Sequence, residues 1–581
     1  MLDFPVTFTL GGVCVFLYVA YRWALPRPLG DIPYNQEAIN TVLGDIPALS
    51  DHERKTGEKL SWFPLQAQKL NSPIIQVFIN PLTKPWVILV DYRESQDILL
   101  RRTKEFDRSD HFGDIFKGMT PDHHISMKST DPLFKVHRKL VQDLMTPAFL
   151  NEVSAPRIHE AFTSLCDLWI EKARLADGHP FSVSEDFYNA ALESIWGATF
   201  PLDAKDGVIN SQREQLLASM ASTEDISSPD MDAPIVFPEF PIPDGLNAVI
   251  TLTKSLEYLI TSPLPKTTYW FLSKLPYMRR ARSAKEHMII SELEKAKDRF
   301  ENGSKAEQYA RCAMDYVLRR ELAAAKKENR KPEYKTRAVI DELYGLLLAG
   351  HDTTSTAATW GVKFLSDHQG VQKRLRDELR NGFPAAIAER RPPTAEEIAK
   401  AHISYLDATR EEIMRKSLTT PGVMRTAMVD TVVLGHHIPK GTIVFMMNNG
   451  PDYVQPPIGV IPEELRSKSC QMAQGRIGSW DPADSNLFQP ERWLRTEEDG
   501  REVFDAASGP LLSFGLGPRG CFGRRLAYLQ LKIALTLIVW NFELKTVPSN
   551  LNSYRGVDSI THQTRQCYLR LLESPLHSSR V

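Results

Sequence analysis

Apolar and polar positions change their period several times along the chain, and each change marks an element. Over residues 73–91, Ile74, Ile75, Val77 and Ile79 and then Trp86 to Val90 form two β-rich runs. They flank Asn80-Pro81-Leu82-Thr83-Lys84-Pro85 and predict two strands joined by a turn. Over residues 132–150 the spacing of Phe134, Val136, Leu140, Val141 and Leu144 turns helical, and helical stretches dominate to about residue 380. Residues 228–245 interrupt them, because Pro229, Pro234, Pro238, Pro241 and Pro243 forbid regular structure. The apolar residues of that loop (Ile235, Val236, Phe237, Phe240) either face the core, the preferred reading, or touch a membrane surface. After residue 420 short strands take over, such as 431–434 and 442–445, and residues 450–479 read as a polar insertion.

Two places break the pattern in ways that suggest chemistry. A long apolar helix over 338–369 is interrupted at mid-length by Ala349-Gly350-His351-Asp352-Thr353-Thr354-Ser355-Thr356, a cluster of poor helix formers. Gly350 removes side-chain bulk, and the Thr353 hydroxyl can bond back to the Ala349 carbonyl, opening the helical ladder beside the Asp352 carboxyl. Such a polar notch suits a small diatomic ligand and a proton relay. The second place is Phe514-Gly515-Leu516-Gly517-Pro518-Arg519-Gly520-Cys521-Phe522-Gly523, followed by a helical pattern up to Asn541. Cys521 would stand at a helix N-terminus, with Arg519 and Arg524 nearby, a setting that favours a thiolate and suits an axial ligand of haem iron. A buried structural cysteine and a Gly-x-Gly-x-x-Gly dinucleotide turn fit the same loop.

Composition narrows the class. The chain has 581 residues, 42% apolar and 24% charged, with a net charge of −2, which gives no basis for nucleic-acid binding. The six cysteines form no Cys-x-x-Cys pair, so neither a disulfide framework nor a zinc site is indicated. Residues 5–21 are uncharged and mostly apolar, with Arg22 and Arg27 after them, and predict an N-terminal single-pass anchor with the rest of the chain on the cytosolic side. Residues 1–25 are thus the anchor, 26–39 a proline-containing hinge and 40–581 the catalytic domain. The sequon Asn302-Gly303-Ser304 would report a lumenal location if it carried glycan.

Charged pairs complete the set. Glu412 and Arg415 lie three apart on a predicted helix, 405–415, and Pro490-Glu491-Arg492-Trp493 supplies a second arginine for the Glu412 carboxylate. The two propionates of a haem would need arginines from separate segments, for which Arg519, Arg138 and Arg425 are the candidates.

In this order the motifs resemble the cytochrome P450 family. Phe514-x-x-Gly517-x-Arg519-x-Cys521-x-Gly523 matches its haem-loop signature, and Ala349-Gly350-x-Asp352-Thr353-Thr354 its oxygen-binding helix. Glu412-x-x-Arg415 and Pro490-Glu491-Arg492-Trp493 match its structural triad segments, and the anchor and hinge look like those of microsomal members. The resemblance, from about residue 40 onward, implies a mainly α fold with smaller β-sheets (α+β) behind a single N-terminal transmembrane helix. It implies haem b with Cys521 as the iron ligand, Phe514 packed near the sulfur, and Gly517, Arg519, Gly523, Arg138 and Arg425 around the cofactor. Asp352 and Thr353 would deliver protons to dioxygen, while Glu412, Arg415 and Arg492 would hold the core. The implied activity is insertion of one oxygen atom of O2 into a lipophilic substrate, in secondary or lipid metabolism, at the endoplasmic reticulum membrane. Electrons would come from NADPH through a diflavin reductase, with cytochrome b5 as a candidate second donor, and Arg138, Lys139, Arg524, Arg525 and Lys532 are candidates for the docking patch. An O2-independent rearrangement and a haem-binding sensor without turnover are the alternatives. Two departures stand out: Phe134 replaces the tryptophan usual four residues before Arg138, and the 450–479 insertion lengthens a segment that is usually short.

Overall fold

The structure is a computed structural model that describes residues 4–201, 207–220, 229–302, 311–476 and 478–574. Helices fill the middle of the chain, and strands collect at its two ends. The strands Ile74–Val77 and Trp86–Leu89 pair antiparallel, as two β-rich runs joined by a proline-bounded turn predict. Trp86–Leu89 then runs parallel to Ile443–Met447, which pairs antiparallel with Gly422–Ala427, and that strand with Phe106–Arg108. One five-stranded mixed sheet therefore joins segments more than three hundred residues apart.

The region predicted as one helix over 132–150 is subdivided. Asp131 caps Pro132–Val141 by accepting from the Leu133 N–H, and a 3-10 turn, Gln142–Met145, ends it before Pro147. The proline-rich segment, from residue 229 onward, is irregular as expected, until the helix Asp244–Ile260 begins. Ile235 is buried and bridges to Phe181, Phe237 packs edge-on against the Phe181 ring, and Val236 is exposed. The core-facing reading therefore holds for part of this loop. Ser228 lies outside the described residues, as do Gly303 and Ser304 of the sequon.

The long apolar helix is two helices, Arg337–Gly350 and Asp352–Asp367, meeting at His351. Thr336 caps the first through a bond from the Val339 N–H, and nearly every residue of the second is buried. The helix after Cys521, Arg524–Asn541, is likewise buried from Leu529 to its end. A buried hydrogen bond from Thr354 Oγ1 to Gln530 Oε1 (3.0 Å) fastens the break to that helix.

At the N-terminus a 21-residue helix, Phe4–Ala24, exposes Val13, Val15, Phe16, Leu17, Val19 and Trp23. Among the described residues no helix is long and apolar enough to cross a membrane, so the expected spanning anchor is met only as an apolar, outward-facing helix.

The insertion is folded onto the body. Arg466 forms a bidentate pair with Asp91 at 2.8 Å through both nitrogens, with both side chains buried. Arg93 meets Glu463 at 2.5 Å, and Ser469 donates to Asp97 at 2.9 Å. All three body residues lie in or just before the helix Tyr92–Leu100, so the insertion's polarity reflects a docked surface. Arg466→Ala leaves Asp91 buried without its cation and is expected to lower stability by about 3–5 kcal/mol. Urea denaturation is the measurement, and a midpoint equal to wild type would show that the pair is not coupled to the fold.

Candidate active site

The Cys521 loop is shaped by backbone constraints. The Cys521 N–H donates to the Phe514 carbonyl at 2.7 Å, closing the loop. Gly517 has φ +69°, and a Cβ there would strike the Leu99 carbonyl oxygen, so the position excludes other residues. Gly520 donates to the Gly517 carbonyl at 2.9 Å within a 3-10 turn, Gly517–Arg519, an arrangement unlike a phosphate-binding strand-to-helix turn. Phe514 lies edge-on to Tyr528 at 5.0 Å between ring centres, with the Arg524 guanidinium 5.7 Å from its ring.

Cys521 is exposed at the surface of the described residues, in dense protein surroundings. Burial pushes its pKa up, and the N–H groups of Gly523 and Arg524 with the charges of Arg524 and Arg138 pull the other way without prevailing. The expected thiolate is thus not a property of the loop alone. A bound cation that replaces the proton would complete it, since thiol ligands bind metals in their deprotonated form.

Around the loop, positive charge is concentrated beyond what protein partners satisfy. Arg519 Nε and Nη1, Arg425 Nη2 and Arg108 Nε are buried and have no hydrogen-bond partner among the described residues. Arg425 and Arg108 are direct cross-strand neighbours, a like-charge pairing that is unfavourable unless an anion lies between. Burial, against the pull of Asp107, brings Arg519 down to about 10, and burial with Arg519 nearby brings Arg425 down to about 10. Asp107 is the carboxylate on hand, and it is occupied by the backbone N–H groups of Arg108 and Ser129. Such a set fits a group carrying two carboxylates, as haem does.

Arg138 donates to the Pro518 carbonyl at 2.7 Å, and its guanidinium lies near the Phe134 and Phe522 rings. Phe134 accepts the face of Arg519 at 4.1 Å, so the residue in place of tryptophan supports an arginine and offers no hydrogen bond of its own. Sequence reasoning missed Arg108 and His124; the strand pairing of Arg108 with Arg425 was the signal that a register assignment would have supplied. His124 packs edge-on to Phe522 at 5.6 Å, and its pKa falls to about 3 through burial and the charges of Arg519, Arg138 and Arg108. His123, His124 and Glu342 bring three potential ligand atoms within 4.8 Å of one another. Those arginines make the place hostile to a second cation.

At the helix break the Thr353 hydroxyl donates to the Ala349 carbonyl at 2.7 Å, as the sequence predicts. A Cβ on Gly350 would come within 2.7 Å of Ile195, so the missing side chain also admits a neighbouring helix. Asp352 is 2% exposed, and burial raises its pKa.

The third constellation is a buried charge network. Glu412 receives Arg415 at 2.6 and 2.8 Å, Arg492 at 3.2 Å, the Trp493 indole at 2.9 Å and the Gln489 N–H at 2.9 Å. Burial works to raise its pKa, yet the two arginines hold it below the ordinary value. The three residues expected to hold the core do so by anchoring the loop 485–493 to Glu412; the hydrogen bonds from the Trp493 indole and the Gln489 N–H were not foreseen. In the candidate docking patch Lys139, Arg524 and Arg525 are exposed, whereas Lys532 is buried and donates to the Ala401 carbonyl at 2.6 Å, which removes it from the patch.

The mainly helical fold, the cysteine loop and the cationic cradle define a haem-thiolate protein. The family model for "Cytochrome P450" matches residues 51–450 and 480–566, and the chain belongs to that family. The gap between the two matched stretches coincides with the insertion. The chain is 40% identical to cytochrome P450 monooxygenase TRI13 of Fusarium sporotrichioides, over 96% of this chain and 98% of that protein. It is 36% identical to cytochrome P450 monooxygenase GME11363 of Pestalotiopsis microspora, over 97% and 98%. Among solved structures, the haem domain of cytochrome P450DA superposes with a TM-score of 0.65 at 18% identity, covering 95% of this chain and 99% of that one, a likeness of fold. The protein is therefore a P450 monooxygenase.

Arg425→Gln withdraws one charged donor from the cradle. Charge-assisted bonds of about 1.5–3 kcal/mol predict roughly 10–100-fold faster haem transfer to an apo-globin acceptor. A transfer rate equal to wild type would count against the cradle.

Proposed function

We propose that this monooxygenase hydroxylates, or otherwise oxidises, a lipophilic organic substrate at the endoplasmic reticulum membrane with electrons from NADPH. The observation that carries the reading is the presence, in one fold, of the Cys521 loop with its unsatisfied arginines and of a buried helix broken at His351, just before Asp352-Thr353. Haem, held by Cys521 and by Arg108, Arg425 and Arg519, supplies the oxygen chemistry when bound. The chain's own contribution is to keep the sulfur under the N–H groups of Gly523 and Arg524, to exclude bulk water, and to move protons at Thr353 Oγ1 and the Asp352 carboxyl. Both residues are present, which favours O2 activation over a rearrangement that needs no proton delivery. Substrate-dependent NADPH consumption separates turnover from a silent sensor.

A diflavin reductase is the proposed donor, with cytochrome b5 as a second. Lys139, Arg524 and Arg525 stand exposed near the Cys521 loop and suit an acidic partner surface. Membrane attachment is supported by geometry. The apolar helix Phe4–Ala24 leads into residues 23–29, which share a cleft with the turn 80–85; that turn shares another with residues 263–267. Next to it Leu264, Trp270 and Phe271 are exposed, so two apolar surfaces sit together and would enter one bilayer face, the catalytic domain remaining cytosolic.

Cys521→Ser is expected to abolish the red-shifted Soret band of the reduced carbon monoxide complex; an unchanged band would refute the ligand assignment. Deleting residues 1–25 should release at least part of the protein from membranes. Undiminished binding to vesicles would transfer the anchoring to the Leu264, Trp270 and Phe271 surface.

A further inference from the structure

The Asp352 carboxylate is held from outside its own helix. Its Oδ2 accepts from Thr561 Oγ1 at 2.8 Å and its Oδ1 from Gln563 Nε2 at 2.9 Å. Both donors come from one hairpin near the C-terminus, formed by Gly556–Asp558 and His562–Thr564. Each carboxylate oxygen thus has one dedicated neutral donor. Thr561 also lies 2.8 Å from Thr356 Oγ1; with the Thr561 proton directed at Asp352, Thr356 is the donor in that contact.

The hairpin is attached to the body without these two bonds. The Trp360 indole donates to the His562 carbonyl at 2.8 Å, and the two rings stack with an interplanar angle of 1°. At its other end the Gly556 N–H donates to Glu58 at 2.6 Å, the Leu60 N–H to Asp558 at 2.6 Å, and the Asp558 N–H to the Gly57 carbonyl at 3.1 Å. Two further donors converging on a single carboxyl exceed what attachment requires. Their hydrogen bonds favour the anion, while burial favours the acid.

Three other ionisable groups lie around Asp352, and among the influences that favour its anion His351 comes ahead of the two hairpin bonds. His351, on the same helical run, donates from Nδ1 to the Leu347 carbonyl at 2.6 Å, and its Nε2 lies 3.0 Å from the Tyr188 hydroxyl; burial lowers its pKa, against the pull of Asp352. Tyr188 comes from the helix Ser184–Thr199 and stays protonated, its pKa raised by burial. From the helix Asp244–Ile260 the exposed Lys254 adds a weaker attraction, the last among the influences on Asp352.

We propose that Thr561 and Gln563 are positioning residues: from the C-terminal hairpin they orient the Asp352 carboxyl and, together with His351, set the pH at which it takes up a proton. This rests on the reading of Asp352 as a proton donor in the oxidation. Neither hairpin residue touches the reacting atoms in this scheme, and both act through Asp352.

The test is made on the haem-loaded, full-length enzyme with Thr561→Val, Gln563→Leu and Thr561→Ser, with Asp352→Asn as reference. The infrared carbonyl stretch of protonated Asp352 is assigned as the band lost in Asp352→Asn and is followed against pH. Removing a donor to the carboxylate disfavours the anion, so the midpoint is expected to rise by about one unit, a tenfold change, in Thr561→Val and in Gln563→Leu. Thr561→Ser is expected to restore it. A midpoint unmoved in both variants, with the carbon monoxide spectrum intact, overturns the proposal. The two variants are independent, so failure of one to fold leaves the other as the test. The proton-delivery reading is tested separately by the partition of NADPH electrons between peroxide and water, with a diflavin reductase as donor. A wild-type partition in Asp352→Asn would sink that reading while leaving the midpoint shift as the measure of positioning.

Discussion

Buried guanidinium groups with open hydrogen-bonding positions are the constraint on which the rest of this structure turns. Arg108, Arg425 and Arg519 converge from a strand, its neighbour and the cysteine loop, and Asp107 cannot satisfy them. A protein keeps such an arrangement only where something anionic shares the site, because an unpaired buried charge is expensive. Burial and then the same charges depress His124, and the preference for a dianionic group rests on three segments at once. The Cys521 thiol follows a parallel logic: burial holds the proton on it until a metal takes the proton's place.

The surrounding scaffold holds these groups still. Glu412 gathers two arginines, an indole and a backbone N–H, and so fixes residues 485–493 against the helix Ser404–Ser417. Thr354 and Gln530 tie the broken helix to the helix after Cys521, and Gln530 passes the connection on to Ser194 at 2.9 Å. Polar side chains thus link helices that are otherwise joined by apolar packing. Fully satisfied buried networks of this kind favour one arrangement over near alternatives.

The insertion illustrates a different use of polarity. From sequence it reads as a polar insertion. Arg466, Glu463 and Ser469 turn inward onto Asp91, Arg93 and Asp97, in or just before one helix, and so dock the insertion against the body. Its apolar Val460 and Met472 stay exposed.

Much of this was legible from residues alone, because it rests on local rules. Helical and strand periods, the break at residues 349–356 and the Thr353 back-bond all follow from neighbours within a few positions. So does the cysteine at the mouth of a helix, since glycines, proline and the following apolar run mark that boundary. What lay beyond reach depends on partners hundreds of residues away. The cross-strand pairing of Arg108 with Arg425, the capture of Asp352 by Thr561 and Gln563, and the use of Gly350 to admit Ile195 need the tertiary structure. The same holds for charge state: Cys521 was read as a thiolate from its local field, but burial, a property of the whole fold, outweighs that field. The sequence by itself determined which groups carry the chemistry. The tertiary structure decided their protonation and their company, because desolvation and long-range contacts have no local signature.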